Sequence, residues 1–504
     1  MKIRIAMNKI YRRNVWLSLP LIAGVFVLSC DPLDLEPENA LPKSKFFLTS
    51  ADAQAAVNAV YDAEQDLVEE FMGYGEARAD HVQPSWGTVC CHTQSTGGST
   101  SAAQDQTINP DHGYADWARF YSLINRANNV IQFTPAIVEL DREYSELQNQ
   151  WHVADAYFHR ALAYLNILKN WRQAPIVTEA SIDAAQDFEK PMSSSEEIIA
   201  LIEDDLVNNV IPNINTTGGP NRATRDAAYA VLADLYIWTD QYQKALDALD
   251  NVLRDNIFAD LVTADSWHLQ WANGNSNESL YELAFNGGLQ EWNFIMGMTA
   301  RTRLGEGSGK AVEAYPGGDI RDNYVFRWGR NIIKPVVTAD GGVRPQGTSD
   351  RHGDNNWIIY RRTELWFWKA EALNRLGQKQ EAIDIMNDIR ARVNLAPNEN
   401  VTAASSTEDI EYEIVIAEKG LEMMYEGKRW YDLVRVAIRQ NNVDLMLDEL
   451  EESWRSRTAY QLDEADVLEL RDRVAANAPD SWFWPVSREA LRNNPSLEQF
   501  PAYR

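Results

Sequence analysis

The chain has 504 residues, with 74 Asp and Glu against 47 Lys and Arg and a formal net charge of -27. At roughly 150 residues per domain that length suits two or three packed units, and 45% hydrophobic with 24% charged residues is ordinary globular material, not a disordered chain. A polyanion with no offsetting Lys/Arg block is repelled by phosphate backbones, which argues against nucleic acid as a partner, and 17 Trp against 15 Phe make tryptophan the odd count.

Residues 1–29 carry Lys2, Arg4, Lys9, Arg12 and Arg13 and no acid. The apolar run from Val15 to Leu28, broken only by Ser18, Pro20 and Gly24, is shorter than the about 20 residues a membrane span needs. With Ser29-Cys30-Asp31 behind it, the segment reads as a secretory signal started by Met1 or Met7. Its removal takes the charge from -27 to -32. A Cys at the cleavage point resembles a bacterial lipoprotein signal, in which Cys30 is acylated and holds the protein on a membrane; Leu28 is bulkier than that pattern usually carries. An uncleaved anchor helix and a plain secretory signal are the alternatives. Residues 30–49, with Pro32, Pro37 and Pro42, then suit an extended acidic tether. The other cysteines, Cys90 and Cys91, are adjacent, so a bond between them needs a strained ring; a bonded pair, two thiols and a mixed adduct all fit.

Residues 50–254 read as a helical region. The first helix starts near Ser50 as N-cap, with Ala53, Ala56, Val57, Val60 and Tyr61 on one face. A second runs from Tyr114 to about Gln132 and a third from Trp151 to Trp171, ending before Pro175. Between the first two, Pro84 to Gly113 is rich in Ser, Thr, Gly, Gln and Asn, a loop long enough to be disordered or functional. An internal repeat follows. Ala233 and Ala245 lie 12 apart across a short break, and Ala370 and Ala382 repeat the interval. Small residues at that spacing let two antiparallel helices approach closely, as in tetratricopeptide pairs; with weaker pairs upstream there are about four units. Residues 255–360 interrupt the repeat with a Gly-, Asn- and Trp-rich insert of loops, short strands and turns, and 361–504 carry the last pair and the C-terminal region. The fold class is mainly α, tetratricopeptide-like helix pairs with a loop-rich, short-strand insert.

No catalytic motif emerges. His81, His92, His112, His152, His159, His268 and His352 form no HExxH, and there is no GxSxG, P-loop or GxGxxG after a strand. No cofactor or metal is expected. His152 and His159, seven apart on one helix, read as packing or surface residues. Carboxylates are abundant enough to supply a glycosidase pair anywhere, so their presence decides nothing. Of the tryptophans, nine fall in predicted helices or the C-terminal segment and read as core. Trp86, Trp267, Trp271, Trp292, Trp328 and Trp357 fall in irregular stretches, and Trp454 has no obvious place. Rings presented from loops offer flat apolar faces with a polar edge, suited to sugar C–H faces or peptide side chains, though a ring can equally plug its loop onto the body.

Taken together, seven segments resemble the SusD/RagB family of Bacteroidetes surface lipoproteins. They are Cys30 to Pro37; Trp117 to Tyr121 with Ile124 to Ile131; Arg160 to Tyr164 with Ala174 to Thr178; Ile202 to Leu206 with Ala223 to Ala228; Ala370 to Ala372 with Asn387 to Arg392; Glu418 to Leu433; and Trp484 to Val486 with Asn494 to Gln499. The family usually has Glu-Arg where this chain has Glu418-Lys419, and the binding loops do not match in detail. Glu422, Glu426 and Arg429 stand at i, i+4 and i+7 and read as a structural ion-pair ladder on a charged helix. The resemblance implies an outer-membrane, surface-exposed, lipid-anchored protein that is not an enzyme. It would bind an extracellular nutrient, most often an oligosaccharide, and act as a lid over a SusC-like TonB-dependent transporter barrel, with the insert forming the ligand face. By position, Arg78 and Asp80 resemble the loop that lines the family's site, with Trp86 stacking beside them; Trp292, Tyr315 and Trp328 are further candidates. Alternatives are a peptide-binding RagB-like member, a secreted glycoside hydrolase and a tetratricopeptide scaffold.

Overall fold

Thr49, not Ser50, caps helix α1 (Ser50–Gln65): its Oγ1 accepts the Asp52 N–H at 3.3 Å while the Asp52 carboxylate accepts the Thr49 N–H at 2.8 Å. Two N–H groups are satisfied reciprocally, and the helix therefore starts one residue earlier than Ser50 as cap would give. The structure, a computed structural model, describes residues 46–83, 102–182, 186–289, 291–293, 306–327, 331–343, 353–457 and 461–504. The expected signal (1–29), Cys30, most of the tether, Trp86, the Cys90-Cys91 pair and Trp328 lie outside the described residues. No helix among the described residues is long and apolar enough to cross a membrane.

After α2 (Val68–Glu76) come α3 (Ala118–Phe133), which packs on α1, and α4 (Glu146–Trp171), which packs on α3. Ser145 and Gln148 form a second reciprocal cap, so α4 starts five residues before Trp151. Helix α5 (Ser195–Asp204) runs on as a π-helical turn (Asp205–Val210) and lies against α4. The repeat units follow: α6 (Arg225–Trp238) with α7 (Tyr242–Leu249), and α8 (Arg362–Arg375) with α9 (Lys379–Arg392). Each pair turns on a residue of positive φ, Asp240 in the first and Gly377 in the second, where glycine adopts the left-handed geometry without steric cost. Ala233, Ala245, Ala370 and Ala382 are all fully buried, as close helix approach demands. Helix α7 packs on α8, so the solenoid stacks continuously although the insert separates its units in sequence.

The insert leaves after α7 and returns through a strand. Six short strands occur among the described residues: β1 (Val82–Gln83), β2 (Ser279–Leu283), β3 (Glu306–Gly307), β4 (Phe326–Arg327), β5 (Asn331–Ile332) and β6 (Trp357–Arg361). They pair antiparallel as β2 with β6, β1 with β3 and β4 with β5. Strand β6 runs straight into α8, so the Ser279↔Arg361 pairing pins both ends of the insert to the repeat.

Downstream the structure departs from the single charged helix expected over 418–433. Helix α10 (Lys419–Glu422) ends, the chain crosses Tyr425 and Gly427 at positive φ, and α11 (Arg429–Gln440) begins. A Cβ on Gly75 would fall 1.9 Å from the Gly427 carbonyl oxygen, so two glycines let α2 and this crossing touch backbone to backbone. Helix α12 (Val443–Arg455) follows, and Trp454 is buried in it.

Candidate functional site

The crossing at 423–428 turns the acidic residues inward instead of laying them along a helix face. Glu422 meets Arg321 at 3.1 Å, Arg361 at 3.0 Å and Arg392 at 2.5 Å, and accepts the Trp267 indole N–H at 3.0 Å. Glu426 meets Lys334 at 2.6 Å and Arg361 at 2.8 Å. Glu418 pairs with Arg321 at 2.8 Å, and Glu278 with Arg361 at 3.2 Å. All of these groups are buried. Burial alone would raise the Glu422 carboxyl, but Arg392, Arg361 and Arg321 outweigh it and hold it well below the usual carboxylate range. The motif is therefore structural, as a cross-link between C-terminal helices and insert and not as an i, i+4 ladder. Lys419, which stands where the family usually has Arg, bonds Asp432 at 2.9 Å and so keeps the pairing a cation needs there.

The same burial corrects the expectation for Arg78 and Asp80. Arg78 donates to Gln106 Oε1 at 3.0 and 2.9 Å, to the Trp482 carbonyl at 2.8 Å and to the Ser481 carbonyl at 3.0 Å, and lies 4.3 Å over the Trp430 ring. Asp80 accepts bidentately from Arg429 at 2.7 and 2.9 Å, with Lys310 at 3.2 Å. At 3% and 0% exposure neither offers an edge to a sugar hydroxyl; they tie the chain after α2 to the C-terminal helices. Tyr315 is likewise committed, its hydroxyl donating to the Leu421 carbonyl at 2.9 Å.

Half of the loop tryptophans also turn inward. Trp267, Trp271 and Trp357 are buried. The first two, 4.6 Å apart, flank Lys334, whose ammonium lies 4.5 Å from the Trp271 ring and 5.1 Å from the Trp267 ring, a desolvated cation–π contact that helps hold a buried lysine. His159, seven residues from His152 on α4, is buried against Glu64 at 2.8 Å, while His152 bonds the Tyr144 hydroxyl.

Trp292 alone of the described candidates faces solvent, at 42% exposure, beside Leu289 at 69%. Its indole lies so close on Gly287 that a Cβ there would sit 2.5 Å from Cη2, and the Asp354 carboxylate stands 3.0 Å from that same point. Gly287 thus seats an aromatic ring next to a carboxylate, the pairing of apolar surface and polar edge that suits a carbohydrate ring. Two-way hydrogen bonds between Asn293 and Gly353, at 2.8 and 2.9 Å, fix the backbone next to it, and Asn293 Nδ2 donates to the Asn355 carbonyl at 2.7 Å. Sequence-distant pieces meet here through the pairing of Asn293 with Gly353. No sequence signal separates Trp292 from Trp267, since both stand in aperiodic, polar surroundings.

A helix-pair solenoid carrying one loop-rich insert defines a helical-repeat protein. Comparison with known families agrees. Residues 31–237 match the model described as "Starch-binding associating with outer membrane", and residues 307–503 match that of the SusD family. The chain belongs to the SusD/RagB family. It is 24% identical to SusD-like protein P38 of Formosa agariphila over 97% of this chain and 99% of that one. Among solved structures it resembles a SusD superfamily protein of Bacteroides vulgatus (19% identical, 91% of this chain and 100% of that one, TM-score 0.68) and a laminarin-binding SusD-like protein (20%, 91% and 100%, TM-score 0.68). At those identities the likeness to the solved structures is one of fold.

Proposed function

We propose that the protein is a surface-exposed outer-membrane lipoprotein, acylated at Cys30, that binds an extracellular glycan without cleaving it and hands it to a SusC-like TonB-dependent transporter. The observation that supports this most is the Trp292 ledge: in an insert whose other described tryptophans are buried, one indole is held flat and open beside a carboxylate. Membership of a family with a starch-binding, outer-membrane model and a laminarin-binding structural relative supports a glycan as the ligand. Trp86 and Trp328, carried in sequence by segments that adjoin β1 and β4, are proposed as further stacking residues. Titration calorimetry with laminarin, starch and other glycan oligosaccharides, beside a peptide panel, tests the reading. Trp292→Ala is expected to weaken the glycan that binds by roughly 1 kcal/mol, about fivefold; unchanged affinity in both Trp292→Ala and Trp86→Ala would remove the aromatic face. Membrane fractionation of Cys30→Ala tests the anchor, which fails if the variant stays as firmly bound as the wild type.

A further inference from the structure

Bordered by Glu291, the residue before Trp292, a groove of about 490 Å³ opens between α1 (Asn58, Tyr61, Gln65), the Asn221-Arg222 turn and the end of β2 (Glu282, Leu283). Its walls are fixed. The Tyr61 hydroxyl accepts the Ala223 N–H at 3.0 Å, Gln65 donates to the Ala284 carbonyl, and Asn221 donates to the Glu282 carbonyl at 3.3 Å. The carboxylates of these walls are already occupied: Asp62 is paired with Arg126 at 2.9 Å, and Glu282 accepts from Asn356 at 2.9 Å, from Ser279 at 3.0 Å and from the Asn275 N–H. Asp155 lies near Tyr61, where burial raises its carboxyl and the charges of His159 and Arg222 partly offset that rise, while Glu291 is exposed at the rim, in water that screens it.

Arg222 is different. Its guanidinium lies 4.5 Å over the Tyr61 ring, and this exposed side chain makes no side-chain hydrogen bond or ion pair among the described residues, whereas the buried Arg78, Arg160, Arg321, Arg361 and Arg429 are all saturated. Asn58 accepts from Gln54 at 2.9 Å, leaving its amide donors open. Unused capacity in the groove is thus mainly donor capacity, centred on a planar fork that the ring holds in place. Such a fork matches a carboxylate bidentately, and pre-ordering it lowers the entropy lost on binding.

We propose that this groove is a second ligand site, which holds the carboxylate of a uronate unit of a glycan chain on the open N–H edge of Arg222. The sugar scaffold rests on the glycan reading above; the demand for a carboxylate rests on Arg222. The Asn58 and Asn221 amides stand on the same walls for neighbouring hydroxyls. Calorimetry on the whole protein with oligogalacturonate and glucuronate-containing oligosaccharides, their carboxyl-reduced counterparts and a sulfated galactan oligosaccharide tests it. A uronate chain is expected to bind at least tenfold more tightly than its reduced form. Arg222→Met, with folding checked by thermal melting, is expected to erase that ratio, and Arg222→Lys to restore part of it; Trp292→Ala is expected to leave it unchanged. Equal binding of acidic and reduced chains, an unaltered ratio in Arg222→Met, or Arg222-dependent binding of the sulfated chain alone overturns the proposal. A neutral glycan bound through Trp292 with no uronate preference overturns this site and leaves the glycan reading standing, whereas binding of no glycan overturns both.

Discussion

Helix pairs α6/α7 and α8/α9 meet on alanines with no exposed surface, while the insert meets α10 and the crossing after it through buried guanidinium, ammonium and carboxylate groups. The first kind of contact is non-directional and depends on volume, so the same 12-residue spacing of small residues recurs in each pair. The second depends on matched geometry between residues far apart in sequence, such as Arg361 with Glu422, and removing one partner leaves the others charged and dry. Motif residues that look chemical in sequence therefore act as fasteners, and the surface left free is where ligand chemistry is to be sought.

The contrast is sharpest at Glu422. Glu422→Ala removes the carboxylate that Arg321, Arg361 and Arg392 share, leaving three buried cations to Glu418, Glu426 and Glu278, and is expected to cost about 3–5 kcal/mol, read from the denaturant midpoint. A loss below about 1 kcal/mol would mean the network is not what holds the insert. In the alanine seam, Ala370→Leu is expected to cost less, about 1–3 kcal/mol by overpacking; a neutral result would show that the pairs are looser than their burial indicates.

Glu76 gives a pH signature at the backbone contact between α2 and Gly427, whose N–H it accepts at 3.0 Å. Burial pushes its carboxyl up to about 8. The folded state then holds a proton that the unfolded state, at an ordinary carboxylate pKa, has lost, so this group's contribution falls as pH rises from about 4.5 to 8 and is flat beyond. The expected slope is at most about 1.4 kcal/mol per pH unit. Glu76→Gln should remove it, seen as a smaller difference in melting temperature between pH 5 and 8 than in the wild type. The smallest stability effect is expected at the open ledge, where Trp292→Ala should change unfolding free energy by no more than about 0.5 kcal/mol while weakening glycan binding.

The body was legible because helical periodicity and small-residue spacing are local: the alanines at 233, 245, 370 and 382 point to the close approach that the structure contains. Boundaries slipped where a cap lay outside the apolar stripe, as at Thr49 and Ser145. The insert was legible only as a departure from periodicity. Arg78 and Asp80 illustrate why: a polar pair on a loop is a site or a fastener according to what saturates it, and their partners Trp482 and Arg429 lie some 350 to 400 residues away. The tryptophans divide for the same reason, since Lys334, which draws Trp267 and Trp271 inward, owes its position to Glu426.

Calorimetric titration of the glycan panel into wild-type protein and Trp292→Ala, with new reducing ends measured in the same samples, decides whether the protein binds glycans through Trp292 without cleaving them. Saturable binding of a glycan is expected, weakened about fivefold by Trp292→Ala, with no reducing ends formed. Binding of peptides alone, binding indifferent to Trp292 and Trp86, or release of reducing ends would contradict it.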